Sequence, residues 1–286
     1  MPFNQISNWM NWPVFFKRLG TAVFFCAVLL AALLTTFEGH VMVVLVIQFF
    51  CIKEFIQIAK HIHPESYFPK WIPITTQISA VLIALGIALA SSLQSYLYIC
   101  LLIPIFILSI AVLQKRTAFI AGLFSIAGLF YIAIPIGCLM SLFIHFKSNI
   151  VQANIPLALI LLIWTNDTMA YITGSFIGKT PFSPISPKKT WEGIIGGGVF
   201  TIIAVIIIHQ LQWLPNLRLV DWIVLALIAS VIGTCGDLLE SKLKRLANLK
   251  DSGNILPGHG GALDRFDSLL LSLPLAFCYV MTFMLP

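Results

Sequence analysis

Nine long apolar runs divide this 286-residue chain and constrain its fold more than any other feature. Their approximate limits are 19–37, 41–59, 72–91, 96–113, 118–143, 151–175, 192–211, 220–240 and 266–285. Each run is long enough to cross about 30 Å of hydrocarbon as an α-helix. Of all residues, 59% are hydrophobic and 10% are charged, whereas soluble domains have about 25% charged residues. The sequence therefore predicts an all-α integral membrane protein with about nine transmembrane helices.

The basic residues are concentrated in alternate connections between these runs. Fifteen of the 17 Lys and Arg lie there, and only Lys147 and Arg218 fall on the opposite side. By the positive-inside rule, the N-terminus and the 249–268 loop are expected in the cytoplasm. With nine spans, the C-terminus is expected outside. The net charge of +6 follows from this asymmetry and indicates no nucleic-acid partner.

Acidic residues gather in the C-terminal half, at or near the predicted cytoplasmic ends of the spans. They are Asp167, Glu192, Asp237, Glu240, Asp264 and Asp267. A charged side chain at the bilayer centre costs about 2.5–3.5 kcal/mol on insertion scales, so such residues usually have a partner or a function. If the eighth helix continues past the membrane, Asp237, Ser241, Lys244 and Asn248 form one stripe with Glu240 beside it.

The segment LKDSGNILPGHGGALDRFDS, residues 249–268, is the most polar stretch near the C-terminus. Gly258, Gly260 and Gly261 allow the backbone to approach a bulky anion closely. Their amides, followed by the start of a helix, are expected to form an anion-binding site. A flexible polar loop without a ligand is the alternative.

Charged residues within this segment favour a site for phosphate and metal. Asp264 and Asp267 are three residues apart and face one side of the predicted helix start, which suggests Mg²⁺ next to substrate phosphates. Lys250 and Arg265 are expected to hold phosphate oxygens.

A second polar cluster lies in WTNDTMAYITGSFIGKTPFSPISPKKTWEG, residues 164–193. Asp167, Tyr171, Gly174 and Gly178 share one helical face, where the glycines permit close packing or approach of a ligand. The tripeptide Gly178–Thr180 is not a P-loop, because the pattern requires glycine where this chain has threonine and should follow a strand.

Lys188, Lys189 and Thr190 precede the seventh run, whose first turn carries Glu192. The lysines alone would be ordinary positive-inside charge, and their combination with Thr190 and Glu192 favours a functional role. Glu54, beside Lys53 at the end of the second run, is expected to pair or to reach the interface in a structural role.

The run from Ser241 to Asp267, SKLKRLANLKDSGNILPGHGGALDRFD, resembles the signature of phosphatidate cytidylyltransferases, also called CDP-diacylglycerol synthases. It contains S-x-L-K-R, K-D-x-G, P-x-H-G-G and L-D-R-x-D at the spacings of that signature. Segments 166–179 and 186–193 are similar to further stretches of the family. Ala262 departs from the larger apolar residue of the pattern, which affects loop packing rather than charge. Residues 1–117 resemble the family only in having several spans, and 118–286 carry the motifs within one polytopic domain of 1–286.

The resemblance implies that CTP and phosphatidic acid react to give CDP-diacylglycerol and pyrophosphate, with Mg²⁺ as cofactor and K⁺ as a further candidate ion. By position, Asp237 and Asp264 match acidic residues of the family's metal centre; Asp167, Glu240 and Asp267 are further candidate ligands. The resemblance also implies a homodimer in the bacterial inner membrane, with the active site at the cytoplasmic ends of the C-terminal helices.

The expected mechanism is in-line attack by a phosphatidate oxygen on the α-phosphorus of CTP, where the protein positions two anions and neutralises their charge. His259 is expected to donate a hydrogen bond rather than to act as a base, since the attacking phosphate is already ionised. The predicted catalytic residues are Asp237, Asp264, Lys250, His259 and Arg265. The predicted substrate-binding residues are Lys189, Thr190, Ser241, Lys244, Arg245, Gly260 and Gly261.

Two other functions are compatible with parts of this pattern. A CTP-dependent kinase of an isoprenoid alcohol would share the nucleotide and metal groups but would transfer the γ-phosphate. A transporter would also have intramembrane acids and glycine-interrupted helices, but the ionisable residues gather on one side without a matching set on the other. The signature favours the cytidylyltransferase over both.

Overall fold

A computed structural model describes residues 27, 37–66, 68–90, 95, 116–145, 155–211, 218–255 and 260–284. Within these ranges the chain is predominantly helical, and seven helices are long and apolar enough to cross a membrane. They correspond to the second, third and fifth to ninth predicted runs. The runs at 19–37 and 96–113 fall outside the described residues, apart from positions 27 and 37. The all-α membrane class is therefore confirmed, and the count of nine helices stays a prediction.

The N-terminal part of the described chain contains three spans. Helix α1 comprises Phe37–Ile62 and α2 comprises Trp71–Leu89. The third span is built from α3, Arg116–Gly128, a π-helical turn, Leu129–Ala133, and α4, Ile134–His145. Helices α2 and α4 pack together, and α1 packs across both.

Two further spans are joined by a short β-hairpin. Helix α5 comprises Ile155–Ile177, the antiparallel strands are β1, Pro181–Ser183, and β2, Ser186–Thr190, and α6 comprises Trp191–Gln210. Helical periodicity in the flanking runs does not predict this hairpin. Its prolines at 181, 184 and 187 are incompatible with a helix interior, so the connection takes an extended form instead.

Glycines hold α5 and α6 close together. A Cβ atom on Gly193 would lie 2.8 Å from the carbonyl oxygen of Ala170, and one on Gly197 would lie 2.8 Å from that of Asn166. Only residues without side chains permit this approach between helices in a membrane. The close packing expected for Gly174 and Gly178 is also present, since a Cβ atom there would lie 3.2 and 2.6 Å, respectively, from Oγ1 of Thr190, at the end of the hairpin.

The last two spans pack side by side. One consists of α7, Leu219–Leu227, a π-helical turn, Ile228–Ile232, and α8, Gly233–Leu246; the other consists of α9, Leu263–Tyr279, and a π-helical turn, Val280–Met284. At Gly236 a Cβ atom would lie 2.5 Å from the carbonyl oxygen of Asp267. Gly236 thus allows α9 to approach α8 next to Asp237.

Helix α8 continues beyond the predicted limit of its run, as the polar stripe requires, but ends before Asn248. Asn248 has a φ of 55°, and the amide of Leu249 donates to the carbonyl of Lys244 over 2.8 Å. This left-handed residue terminates the helix. The prediction that Asn248 continues the stripe of Asp237, Ser241 and Lys244 is therefore wrong.

Candidate active site

The ammonium group of Lys189 forms an ion pair with the carboxylate of Asp237. Lys189 lies on β2, and Asp237 lies in the N-terminal part of α8. The ion pair therefore joins the hairpin to α8. The side chains are 26% and 29% exposed, respectively. Both predicted site residues are therefore in contact, and both remain accessible to a ligand.

Further acidic residues surround Asp237. The hydroxyl of Ser241 donates to its Oδ1 over 3.2 Å from the next turn of α8. Asp167 on α5 and Asp267 on α9 are close enough to interact electrostatically with Asp237. Asp167 is exposed, whereas Asp267 is buried and accepts a hydrogen bond of 2.7 Å from the amide of Ser268. The structure thus brings carboxylates from α5, α8 and α9 close to one another, with Lys189 paired to Asp237.

Lys244 lies at the centre of a second charged group on α8 and α9. Its ammonium group forms an ion pair with Glu240, one turn earlier, and donates to Oδ1 of Asp264 over 2.6 Å. The three side chains are nearly enclosed, with 12% exposure for Lys244, 0% for Glu240 and 7% for Asp264. Because buried carboxylates require compensation, Lys244 has a structural as well as an electrostatic role here.

The other carboxylate oxygen of Asp264 organises the polar loop. Oδ2 accepts from the amide of Ser252 over 2.9 Å and from the amide of Gly261 over 2.8 Å, and it lies 3.0 Å from the Ser252 hydroxyl. Gly260 has a φ of 85°, and a Cβ atom there would lie 2.6 Å from Oδ2. The glycine is thus required by backbone conformation and by the position of Asp264.

Glu54 on α1 is a residue of this site that the sequence did not identify as such. Its carboxylate accepts from the amides of Ala262 and Leu263 over 3.0 and 2.9 Å and from the Ser252 hydroxyl over 2.8 Å. The side chain is 1% exposed, whereas neighbouring Lys53 is exposed. The expected structural role holds, but the partners are the polar loop and the start of α9 rather than Lys53 or the interface.

These contacts change the interpretation of the predicted anion-binding site. The amides at the start of α9 do bind anions, as expected at a helix N-terminus, but the anions are the carboxylates of Glu54 and Asp264. The amide of Gly261 is engaged by Asp264 rather than presented to a phosphate. Gly258 and His259 lie outside the described residues.

Thr190 and Glu192 shape the hairpin. The Thr190 hydroxyl accepts from the amide of Gly193 over 3.1 Å and so caps α6. Glu192 accepts from the amides of Lys179 and Thr180, each over 3.2 Å, and from the Thr180 hydroxyl over 2.8 Å. Thr190 therefore has a capping role beside its predicted contact with substrate, and Glu192 holds the hairpin in the position that brings Lys189 to Asp237.

The remaining predicted basic residues surround these groups at the surface. Lys250, Arg245 and Arg265 are exposed, and Nη1 of Arg245 donates to the carbonyl of Leu249 over 3.1 Å. Lys188, next to Lys189, is also exposed. The site thus has an inner layer of enclosed charges and an outer layer of exposed cations.

The acidic residues have the chemistry for a hard divalent cation, although no three His, Cys, Asp or Glu side chains in the described ranges converge at metal-binding distance. Mg²⁺ commonly uses one or two carboxylates and completes its shell with water and substrate phosphates. Asp237 fits this pattern because its side chain is 29% exposed, although Ser241 engages its Oδ1 and Lys189 its Oδ2. Asp264 fits it less well, since its side chain is only 7% exposed and accepts from Lys244, Ser252 and Gly261.

The sequence model of the cytidylyltransferase family matches residues 16–283. This match extends over nearly the whole chain and includes every candidate site residue. The chain belongs to the cytidylyltransferase family.

Proteins named phosphatidate cytidylyltransferase are similar to the chain over part of its length. The one from Bacillus subtilis (strain 168) is 46% identical over 118 residues, which are 41% of the chain and 44% of that protein. The one from Staphylococcus haemolyticus is 48% identical over 118 residues, 40% of the chain and 44% of that protein. The one from Staphylococcus epidermidis (strain ATCC 12228 / FDA PCI 1200) is 38% identical over 174 residues, 59% of the chain and 63% of that protein. The chain thus spans about half the length of these curated relatives.

Proposed function

We propose that this membrane protein is a phosphatidate cytidylyltransferase, which converts CTP and phosphatidic acid to CDP-diacylglycerol and pyrophosphate. The observation that carries the proposal is the pair of charged groups on α8, where Lys189 pairs with Asp237 and Lys244 pairs with Asp264 and Glu240. Family membership and the names of the relatives support the same reaction.

In this reaction a phosphatidate oxygen attacks the α-phosphorus of CTP. A new P–O bond forms, the bond from the α-phosphorus to the bridging oxygen breaks, and pyrophosphate leaves with the electron pair. The attacking phosphate is already ionised near neutral pH, so the step needs no strong general base. The protein must instead bring two anions together, which requires positioned positive charge.

Lysines already paired with carboxylates suit this task. Lys189 forms an ion pair with the partly exposed Asp237. A substrate phosphate can therefore share the positive charge of Lys189 without a large rearrangement. Lys244 is more enclosed and fixes Asp264 and Glu240 in place. Lys250, Arg245 and Arg265 at the surface supply the positive field that attracts CTP, and His259 is proposed as a donor to phosphate.

Magnesium is proposed as the cofactor, with Asp237 as the principal ligand and Asp264, Asp267, Asp167 and Glu240 as further candidates. Bound there, it would neutralise charge on the phosphates and on the departing pyrophosphate. K⁺ is retained as a second ion on the resemblance to the family alone.

The proposed setting is a multi-pass protein of a bacterial inner membrane, with the N-terminus and the active site in the cytoplasm. Support comes from the seven apolar helices, the bacterial relatives and the distribution of Lys and Arg. A site at the membrane surface would meet CTP from the cytoplasm and a lipid headgroup from the bilayer. The homodimer is proposed from the resemblance to the family.

Product analysis tests the reaction. Purified protein in detergent is supplied with Mg²⁺, phosphatidic acid and CTP labelled separately at the α and γ positions. The proposal expects the α label in the lipid and the γ label in pyrophosphate. Asp237→Asn is expected to abolish both transfers, whereas Glu65→Gln, at an exposed position outside the signature, should retain them.

The same experiment separates the alternatives. Transfer of the γ label to an added isoprenoid alcohol, with release of CDP, would establish the kinase and overturn the proposal. Folded protein that moves neither label would also overturn it and would direct attention to transport assays.

A further inference from the structure

A single buried carboxylate joins the N-terminal helices to the polar loop of the active site. Glu54 lies on α1, and its three hydrogen-bond donors, Ser252, Ala262 and Leu263, are at least 198 residues away in sequence. Oε1 accepts from Ala262, and Oε2 accepts from both Leu263 and Ser252. Both oxygens therefore accept hydrogen bonds from this distant part of the chain.

The first amides of a helix have no partner within that helix, and they attract negative charge. At the start of α9, Glu54 provides the acceptors for Ala262 and Leu263. An acidic residue usually performs this task from within the same helix, whereas here it comes from another span. The position of the start of α9 is consequently fixed relative to α1.

The polar loop is shaped around this carboxylate. A Cβ atom added to Gly253 or to Gly261 would collide with the Glu54 side chain. The two glycines therefore belong to the same arrangement, since any larger residue would displace the loop from Glu54. Because Gly253 and Gly261 both lie directly against the Glu54 side chain, the position of the loop depends on Glu54.

Ser252 connects Glu54 to Asp264. Its hydroxyl lies 2.8 Å from Oε2 of Glu54 and 3.0 Å from Oδ2 of Asp264. The hydroxyl has one hydrogen, so it donates to only one of the two carboxylates at a time. Asp264 in turn holds Lys244, and the chain of contacts thus runs from α1 to the charged group on α8.

We propose that Glu54 is a positioning residue, which holds the start of α9 and, through Ser252, the Asp264–Lys244 pair in the geometry that the reaction needs. The proposal rests on the proposed function for its catalytic part. It does not require Glu54 to touch a substrate or a metal.

Glu54→Gln is the informative variant because it keeps the size of the side chain. One acceptor oxygen becomes an NH₂ group that faces backbone N–H donors, so at least one hydrogen bond is replaced by a repulsive contact. We expect the value of kcat/KM for CTP to fall about 10- to 100-fold, the order of loss that follows from misplacing reacting groups by an ångström. Hydrogen exchange at the amides of Ala262 and Leu263 should become faster, while exchange within α5 and α6 stays unchanged.

Two further variants separate positioning from general stability. Ser252→Ala removes the hydroxyl that connects Glu54 to Asp264, while the backbone amide of residue 252 can still donate to Asp264. The amides of Ala262 and Leu263 stay capped by Glu54, so this variant should lower kcat/KM without faster exchange at these amides. In the double variant with Glu54→Gln, the loss of activity should be no larger than in Glu54→Gln alone. Gln57→Ala, an exposed position one turn along α1, is the matched control and should behave like wild type.

Wild-type activity in either Glu54→Gln or Ser252→Ala would overturn the positioning role, as would losses that simply multiply in the double variant. If Glu54→Gln fails to fold, Ser252→Ala alone decides the question. Failure of the proposed function looks different: the wild-type protein would then form no CDP-diacylglycerol. In that case the exchange measurement still tests whether Glu54 holds the start of α9. Unchanged exchange at Ala262 and Leu263 in Glu54→Gln would refute this part of the proposal.

Discussion

Lys189 and Asp237 form an ion pair across the join between the β-hairpin and α8, with about a quarter of each side chain accessible to solvent. Lys188, which precedes Lys189 on the same strand, is exposed. It can therefore be compared directly with Lys189. The two lysines have the same chemistry and differ in whether they reach the carboxylates of the site. Of these two adjacent residues, Lys189 belongs to the site and Lys188 is exposed at the surface.

This difference gives the first prediction. Lys189→Gln is expected to lower kcat/KM for CTP about tenfold or more, because a hydrogen bond to a charged group contributes about 1.5–3 kcal/mol and each 1.4 kcal/mol is about a factor of ten. Lys188→Gln should change the same quantity less than threefold. Steady-state kinetics of the two variants at fixed ionic strength provide the measurement. Equal losses in both would show that the lysines act only through the general positive field of the surface.

The buried ion pairs of Lys244 give a prediction about stability. Lys244→Met leaves the carboxylates of Glu240 and Asp264 without their cation in an enclosed site. Removal of one partner from a buried pair typically costs about 3–5 kcal/mol, so we expect a clearly lower melting temperature in detergent. Lys242→Met, at an exposed position of the same helix, should melt like wild type. Combining Lys244→Met with Glu240→Gln should recover part of the loss, and no recovery would argue against charge compensation as the cause.

Gly260 gives a prediction about backbone conformation. Its φ of 85° disfavours any side chain, and a Cβ atom would lie 2.6 Å from Oδ2 of Asp264. Gly260→Ala should therefore destabilise the loop by roughly 1–2 kcal/mol from conformation alone and should lower activity further by moving Asp264. Gly198→Ala is the control, because its Cβ would meet only Ser230 at 3.6 Å within a helix. Thermal melting and turnover of both variants test this, and a fully active Gly260→Ala protein would contradict it.

The predictable part of this fold is the part determined by local sequence. Apolar length located the seven described spans, and helical periodicity placed Asp237, Ser241 and Lys244 on one continuous helix. The limits of that periodicity are visible at Asn248, where a left-handed residue ends α8. A periodic polar pattern does not reveal such a termination, because the pattern is the same whether or not the backbone continues as a helix.

The contacts between distant segments were not predictable in this way. In a membrane helix nearly every position is apolar, so the sequence carries little information about which faces meet. The ion pair of Lys189 with Asp237 depends on the hairpin, and the bonds of Glu54 depend on how α1 packs against α9. A carboxylate in an apolar run did indicate that Glu54 needs a partner, but not that the partners are amides about 200 residues away.

Removal of magnesium provides the last prediction and tests the assignment of Asp237. Excess EDTA is expected to stop formation of CDP-diacylglycerol, and added Mg²⁺ should restore it.

If Asp237 is the principal ligand, a conservative Asp237→Glu variant with residual activity should require a higher Mg²⁺ concentration for half-maximal rate than wild type. Glu65→Asp, at an exposed position outside the signature, should show the wild-type requirement. Because Asp237 also pairs with Lys189, Lys189→Gln should leave the Mg²⁺ requirement the same or lower it, since the lysine competes with the metal for the same carboxylate. Full activity in EDTA, or an unchanged Mg²⁺ requirement in Asp237→Glu, would remove Asp237 from the metal site.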